Sequence, residues 1–217
     1  NLKPSDIRYL FSGDLLGQLI ATSFGMLDFK IPLFGLYGAC STAGESLSLA
    51  AMTVAAGYAK HCIAVTSSHF ASAEKQFRYP LEYASQRPLS TTWTVTGSGA
   101  FIVGESGKVK ISGITTGKMV DSGIKDSMNM GAAMAPAAFE TIRAHLKDMG
   151  RAPSYYDLIV TGDLGALGSE ALHTLLRKEG LDPGEALQDC GVLIFDRKKQ
   201  DVHCGGSGCG CSAVVLC

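Results

Sequence analysis

Cys40 has the setting most suggestive of chemistry. It lies in the run Ile31-Pro-Leu-Phe-Gly-Leu-Tyr-Gly-Ala-Cys40-Ser-Thr-Ala-Gly-Glu45, where an apolar stretch of strand character ends at Tyr37 and a helix-like segment starts near 41–45. The small residues Gly38 and Ala39 permit a tight strand-to-helix turn. A cysteine placed there meets the unpaired N–H groups and the dipole of a helix start, which favour the thiolate. The same layout suits an inert cysteine packed against a sheet. His69 follows the predicted strand 62–66, and His203 precedes a glycine- and cysteine-rich stretch. Lys75 and Arg78 stand among Phe77 and Tyr79, as an aromatic slot for an anion would need, although such clusters also occur on plain solvated surfaces. Asp14 and Asp163 each follow an apolar run and a glycine, where they would line a cleft or cap the next helix. Cys204, Cys209 and Cys211 invite a metal, but their spacing matches no zinc ladder and no metal site is expected.

The elements that must position these residues read as alternating strands and helices. Strands are predicted over 7–12, 31–37, 62–66, 94–103, 109–116, 156–161 and 192–196. Helices are predicted over 15–27, 43–59, 134–149 and 168–179. Gly97 and Gly99 suggest a close backbone approach. Residues 70–92 read as a long functional loop. His145 and His173 fall on amphipathic helices and are expected to be exposed.

Composition narrows the function classes. Of the 217 residues 46% are hydrophobic, enough for a globular core, and the net charge of −1 gives no reason to propose nucleic acid. Seven cysteines, an odd number, point to reduced thiols in an intracellular protein. The longest nearly uncharged apolar stretch, 47–59, is shorter than the ~20 residues a membrane span needs.

Self-comparison adds a repeat. Ile7-Arg-Tyr-Leu-Phe-Ser-Gly-Asp14-Leu resembles Tyr156-Asp-Leu-Ile-Val-Thr-Gly-Asp163-Leu, and Gly38-Ala-Cys40-Ser resembles the stretch Gly208-Cys-Gly-Cys-Ser212 in the same order. Two matched pairs in order imply duplicated βαβ halves, and such sheets bind ligands at the carboxyl ends of their strands. The expected fold is therefore α/β. Its halves are 1–116, lacking a first strand and helix, and 117–217, truncated, so the chain reads as an internal piece of a longer protein.

The duplicated halves and the Cys40 turn resemble the thiolase and ketoacyl-synthase superfamily. Within it, Gly38-Ala-Cys-Ser-Thr42, Ala64-Val-Thr-Ser-Ser-His69, Glu74-Lys-Gln-Phe-Arg-Tyr-Pro80, Thr94-Val-Thr-Gly-Ser-Gly-Ala100, Met134-Ala-Pro-Ala-Ala138 and Gly205-Gly-Ser-Gly-Cys209 resemble the stage V sporulation protein AD family. The resemblance implies a thiolase-like, layered α-β-α-β-α fold. It also implies binding of dipicolinic acid, free or with calcium, for uptake into the developing spore. The protein would be a soluble component of a membrane channel complex, partnered by sporulation membrane proteins and peripheral at the inner spore membrane. No resident cofactor is implied, calcium travelling only with the ligand, and a homodimer is compatible with the family. The expected ligand-binding residues are Cys40, His69, Lys75, Arg78, Asp14, Asp163, His203 and Ser207.

Condensing relatives carry a His, or His and Asn, where this chain reads Thr161-Gly-Asp163 and Gly206-Ser-Gly208, with Ser207 in the Asn place. The expectation is a binder rather than an enzyme. The alternative is a Cys40-dependent acyltransferase or condensing enzyme acting on acyl thioesters.

Overall fold

The structure is a computed structural model that describes residues 2–69 and 88–217. In chain order its elements are β1 (Tyr9–Asp14), α1 (Ile20–Met26), β2 (Leu33–Leu36), α2 (Thr42–Ala55), β3 (His61–Ser67), β4 (Trp93–Thr94) and β5 (Ser98–Gly104). They continue with α3 (Met130–Met149), β6 (Ile159–Thr161), α4 (Gly165–Lys178), β7 (Leu187–Asp189), α5 (Cys190–Leu193), β8 (Gly206–Ser207) and α6 (Cys209–Leu216). The chain is α/β, and it forms two compact units, each drawn from separate stretches.

The first unit comprises the described parts of 1–76, 94–114 and 208–217. Its sheet runs in the order β2-β1-β3-β5, with β1 parallel to both β2 and β3, and β5 antiparallel to β3. Central strands buried on both faces need near-continuous apolar residues, and Leu10 and Phe11 on β1 and Cys62, Ala64 and Val65 on β3 provide them. The alanine-rich α2 packs on this sheet through Ala50, with Phe11, Leu36, Ala59 and Cys62 in the same cluster. Helix α6 lies against β5 and β3. Its close fit explains the glycines predicted to mark a near backbone approach, because a Cβ at Gly99 would stand 2.7 Å from the Ala213 carbonyl.

The second unit comprises the described parts of 77–93 and 115–207. Helices α3 and α4 pack together over the parallel pair β6–β7. Leu172 and Leu176, one turn apart on α4, are fully buried beside Ala135, Leu164 and Leu187. Burying each such leucine contributes about 1.5–3 kcal/mol. The two helices touch backbone to backbone, since a Cβ on Gly168 would lie 2.8 Å from the Gly131 Cα.

Some expectations change. The alternating residues 109–116 form no strand, and the partner of β5 is β3. The apolar run 192–196 is not a strand either, because Asp189 accepts from the Val192 N–H at 3.2 Å and starts the helical turn of α5. Helix α3 begins at Met130, capped by Asn129, so Pro136 lies inside it rather than near its first turn. His145 and His173 are half-buried rather than exposed. His145 bonds Thr115 at 2.7 Å and Tyr156 at 2.6 Å, and His173 pairs with Asp182 at 2.8 Å. Among the described residues no helix is long and apolar enough to cross a membrane.

Candidate functional site

In the first unit, parallel pairing aligns the strand ends. Gly13 stands opposite Leu36, and Asp14 stands opposite Ser67. Asp14, the turn at 37–40 and the segment Ser67–His69 therefore share the carboxyl edge of one sheet, where α/β folds bind ligands. Gly13 is required there, because a Cβ would stand 2.6 Å from the Leu36 carbonyl and 2.9 Å from the Thr42 methyl group.

Asp14 is fully buried and His69 is only 5% exposed. The His69 Nδ1 lies 3.5 Å from Asp14 Oδ1, and the Thr22 hydroxyl of α1 donates to Asp14 Oδ2 at 3.3 Å. Asp14 Oδ1 accepts no hydrogen bond among the described residues. A buried carboxylate oxygen of this kind is costly unless a cation or donor approaches it. Asp14 does not cap the helix that follows it, because α1 starts after Leu19 without a side-chain cap.

Cys40 sits in the 3-10 turn Ala39–Ser41 that leads into α2, and its residue is half-buried. Ala39 carries the turn, with the left-handed φ of 47° that costs a residue bearing a Cβ about 1–3 kcal/mol. Gly38 has an ordinary helical φ. It must lack a side chain for another reason, since a Cβ would run into the Glu45 carboxylate and the Ser41 hydroxyl. The Ser41 and Thr42 hydroxyls donate to the carbonyls of Gly38 at 2.9 Å and Ala39 at 2.7 Å, which tightens the turn. The thiol is therefore displayed ahead of a helix start whose first N–H groups receive no side-chain cap. The turn itself rests against α6. There Cys209 and Cys211 are wholly buried, and the Cys209 thiol donates to the Ser67 carbonyl at 3.1 Å. These two cysteines are packing residues.

In the second unit, Asp163 is buried at the end of β6 and Ser207 is buried on β8. The carboxylate that organises the Asp163 turn is Asp189, which the sequence reading did not single out. Its Oδ2 accepts from the Thr161 hydroxyl at 2.7 Å and the Leu164 N–H at 2.9 Å, and its Oδ1 accepts from Gly165 N–H at 2.9 Å. Asp189 thus holds the first N–H groups ahead of α4. A sequence signal existed, because Asp189 stands directly before Cys190-Gly-Val-Leu193, as an N-cap stands before a helix. Burial, followed by the charges of Asp189 and Asp163, pushes the neighbouring Cys190 thiol up to about 11, so it stays protonated at neutral pH. His203 is engaged at both nitrogens, Nδ1 lying 2.8 Å from the Pro88 carbonyl and Nε2 3.1 Å from Asp201. Lys75 and Arg78 lie outside the described residues. Among the described residues, no three His, Cys, Asp or Glu side chains group to hold a metal ion.

The architecture belongs to the thiolase-like class. The 3-oxoacyl-[acyl-carrier-protein] synthase III of Aquifex aeolicus matches all of this chain and 68% of its own, with a TM-score of 0.66 at 18% identity. Xanthomonas campestris OleA with cerulenin matches all of this chain and 65% of its own, with a TM-score of 0.69 at 15% identity. At such identities the likeness shows the fold.

Sequence resolves the class further. Residues 1–217 match the profile of the family described as stage V sporulation protein AD, and the chain belongs to that family. It is 47% identical over 216 residues to the stage V sporulation protein AD of Bacillus subtilis (strain 168), matching 99% of this chain. The chain spans 64% of the length of that relative.

Proposed function

We propose that this chain serves spore formation as a non-enzymatic binder of dipicolinic acid, free or as its calcium complex, for uptake into the developing spore. The observation that carries the reading is family membership over the whole chain, in a family named for a stage of sporulation. In this proposal the protein works beside channel proteins of the inner spore membrane, at its surface, and the halves 1–116 and 117–217 descend from one duplicated unit.

The carboxyl edge bearing Asp14, Cys40 and His69 is the proposed place of binding in the first unit. His69 supplies a donor for a ligand carboxylate, and Cys40 a small polarizable wall. Asp14 would repel a bare dianion, but its Oδ1, which accepts no hydrogen bond among the described residues, suits a hard cation arriving with the ligand. Lys75 and Arg78 are proposed to add positive charge. Asp163, His203 and Ser207 are proposed to bind ligand at the turns of the second unit. The binder reading is supported by the resemblance, which implies that Thr161-Gly-Asp163 and Ser207 stand where condensing relatives carry their bases.

Calorimetry of the intact protein with dipicolinate, with and without calcium, tests this. Saturable binding is expected, tighter for the calcium complex, and weakened at least fivefold by His69→Ala. Asp14→Asn should narrow the difference between the two ligand forms. No binding heat from folded protein in either form would end the reading.

The half-buried Cys40 ahead of α2 favours a second reading, acyl transfer from a thioester. Intact-mass analysis after incubation with a panel of acyl-CoA thioesters decides it. An adduct abolished by Cys40→Ala would establish that reading, and an unchanged mass across the panel would remove it.

A further inference from the structure

At the amino ends of the same strands the first unit carries a groove of about 660 Å³. Three cations line it, each from the start of a different strand: Lys30 ahead of β2, Arg8 ahead of β1 and Lys60 ahead of β3. All three are exposed, and none has an ion-pair partner among the described residues. Arg8 is held over the Tyr9 ring at 5.1 Å from its centroid. Lys30 takes a left-handed φ of 54°, an uncommon conformation for a lysine. Phe29 is 49% exposed and Tyr58 is 75% exposed, both on the walls, while the floor includes the buried Ile7 and Ala59. The one carboxylate in the lining, Asp6, accepts the Lys3 N–H at 2.7 Å within its own turn.

We infer that this groove docks an acidic segment of a partner protein in extended form, with carboxylates alternating with apolar or aromatic side chains. The charge is complementary: the chain as a whole is nearly neutral, at −1, yet these three cations gather in one groove. The spacing agrees. Neighbouring strands lie roughly 4.8 Å apart, so the three strand starts span about 10 Å; same-face side chains of an extended peptide recur about every 6.7 Å, so about five residues offer three of them across that span, within reach of the long Lys and Arg side chains. Alternate side chains then meet the cations while those between reach Phe29, Tyr58 and the apolar floor.

The groove and the Asp14–His69 edge lie at opposite ends of β1, whose six residues set them about 20 Å apart. A docked partner would leave the carboxyl edge open. The inference does not depend on dipicolinate binding.

Fluorescence anisotropy with the intact protein and a fluorescein-labelled Glu-Asp-Leu-Glu-Phe-Glu-Asp peptide tests it. Saturable binding is expected, at least tenfold weaker in Lys30→Glu/Lys60→Glu and several-fold weaker in Tyr58→Ser. A peptide with lysine in place of each acidic residue should not bind. These positions are exposed, and a thermal melt confirms that each variant folds. Equal binding by the charge-reversed variant would overturn the inference, as would absent binding. Cosedimentation with phosphatidylserine vesicles that Lys30→Glu/Lys60→Glu abolishes, alongside no peptide binding, would assign the groove to a membrane instead.

Discussion

Replacing Asp189 separates hydrogen bonding from charge at the turn that carries Asp163. Its two oxygens divide the work: Oδ2 holds the Thr161 hydroxyl and the Leu164 N–H, whereas Oδ1 holds the Gly165 and Val192 N–H groups. Asn keeps one acceptor oxygen, so it preserves one pair and turns an NH2 group toward the other pair of donors. Ala loses both pairs and leaves buried N–H groups unpaired. A hydrogen bond to a charged group is worth about 1.5–3 kcal/mol, but four on one carboxylate are not additive. A loss of about 4 kcal/mol is therefore expected for Asp189→Ala and about 2 kcal/mol for Asp189→Asn. Urea unfolding followed by circular dichroism measures both. With a slope of about 2 kcal/mol per molar, the midpoints should fall by roughly 2 M and 1 M. Equal losses in the two variants, or a loss below 1 kcal/mol in Asp189→Ala, would refute the division of labour between the oxygens.

Gly168→Ala should destabilise the second unit by about 1–3 kcal/mol, because the new methyl group meets the Gly131 backbone and that contact cannot rotate away; thermal melts read the loss. The Cys190 thiol sits at about 11 in the folded state, above its ordinary value, so the unfolded chain releases that proton first as pH rises. Its contribution to stability is full below about pH 9 and is lost as pH climbs toward 11; Cys190→Ala should flatten that part of the stability profile, and an unchanged slope would contradict the assignment.

The strands β1, β2 and β3 were legible from short apolar runs bounded by small or polar residues, and the helix α2 from its alanine-rich, nearly uncharged sequence. The thiolase-like fold and the family followed from the motifs around Cys40, Ala64–His69 and Gly205–Cys209. Local pattern could not reveal which strand β5 would join, nor that the alternating residues 109–116 would find no partner. Periodicity placed His145 and His173 on helices, yet it could not show that Thr115, Tyr156 and Asp182 return to cover them. The strand expected at 192–196 failed because a single carboxylate, Asp189, captures Val192 and starts a helical turn. The pairing of Asp14 with His69 was expected only as shared residence in a cleft. The register of β1 with β3 supplies the contact.

The central claim is that the carboxyl edge bearing Asp14, His69 and Cys40 holds a ligand. Its most direct test is the rate at which iodoacetamide alkylates Cys40, followed by peptide mass mapping, with and without saturating dipicolinate and calcium. The account predicts that the ligand slows alkylation of Cys40 at least fivefold while the exposed Cys217 reacts at an unchanged rate. An unaltered Cys40 rate under conditions where dipicolinate is bound would place the ligand elsewhere and contradict the claim.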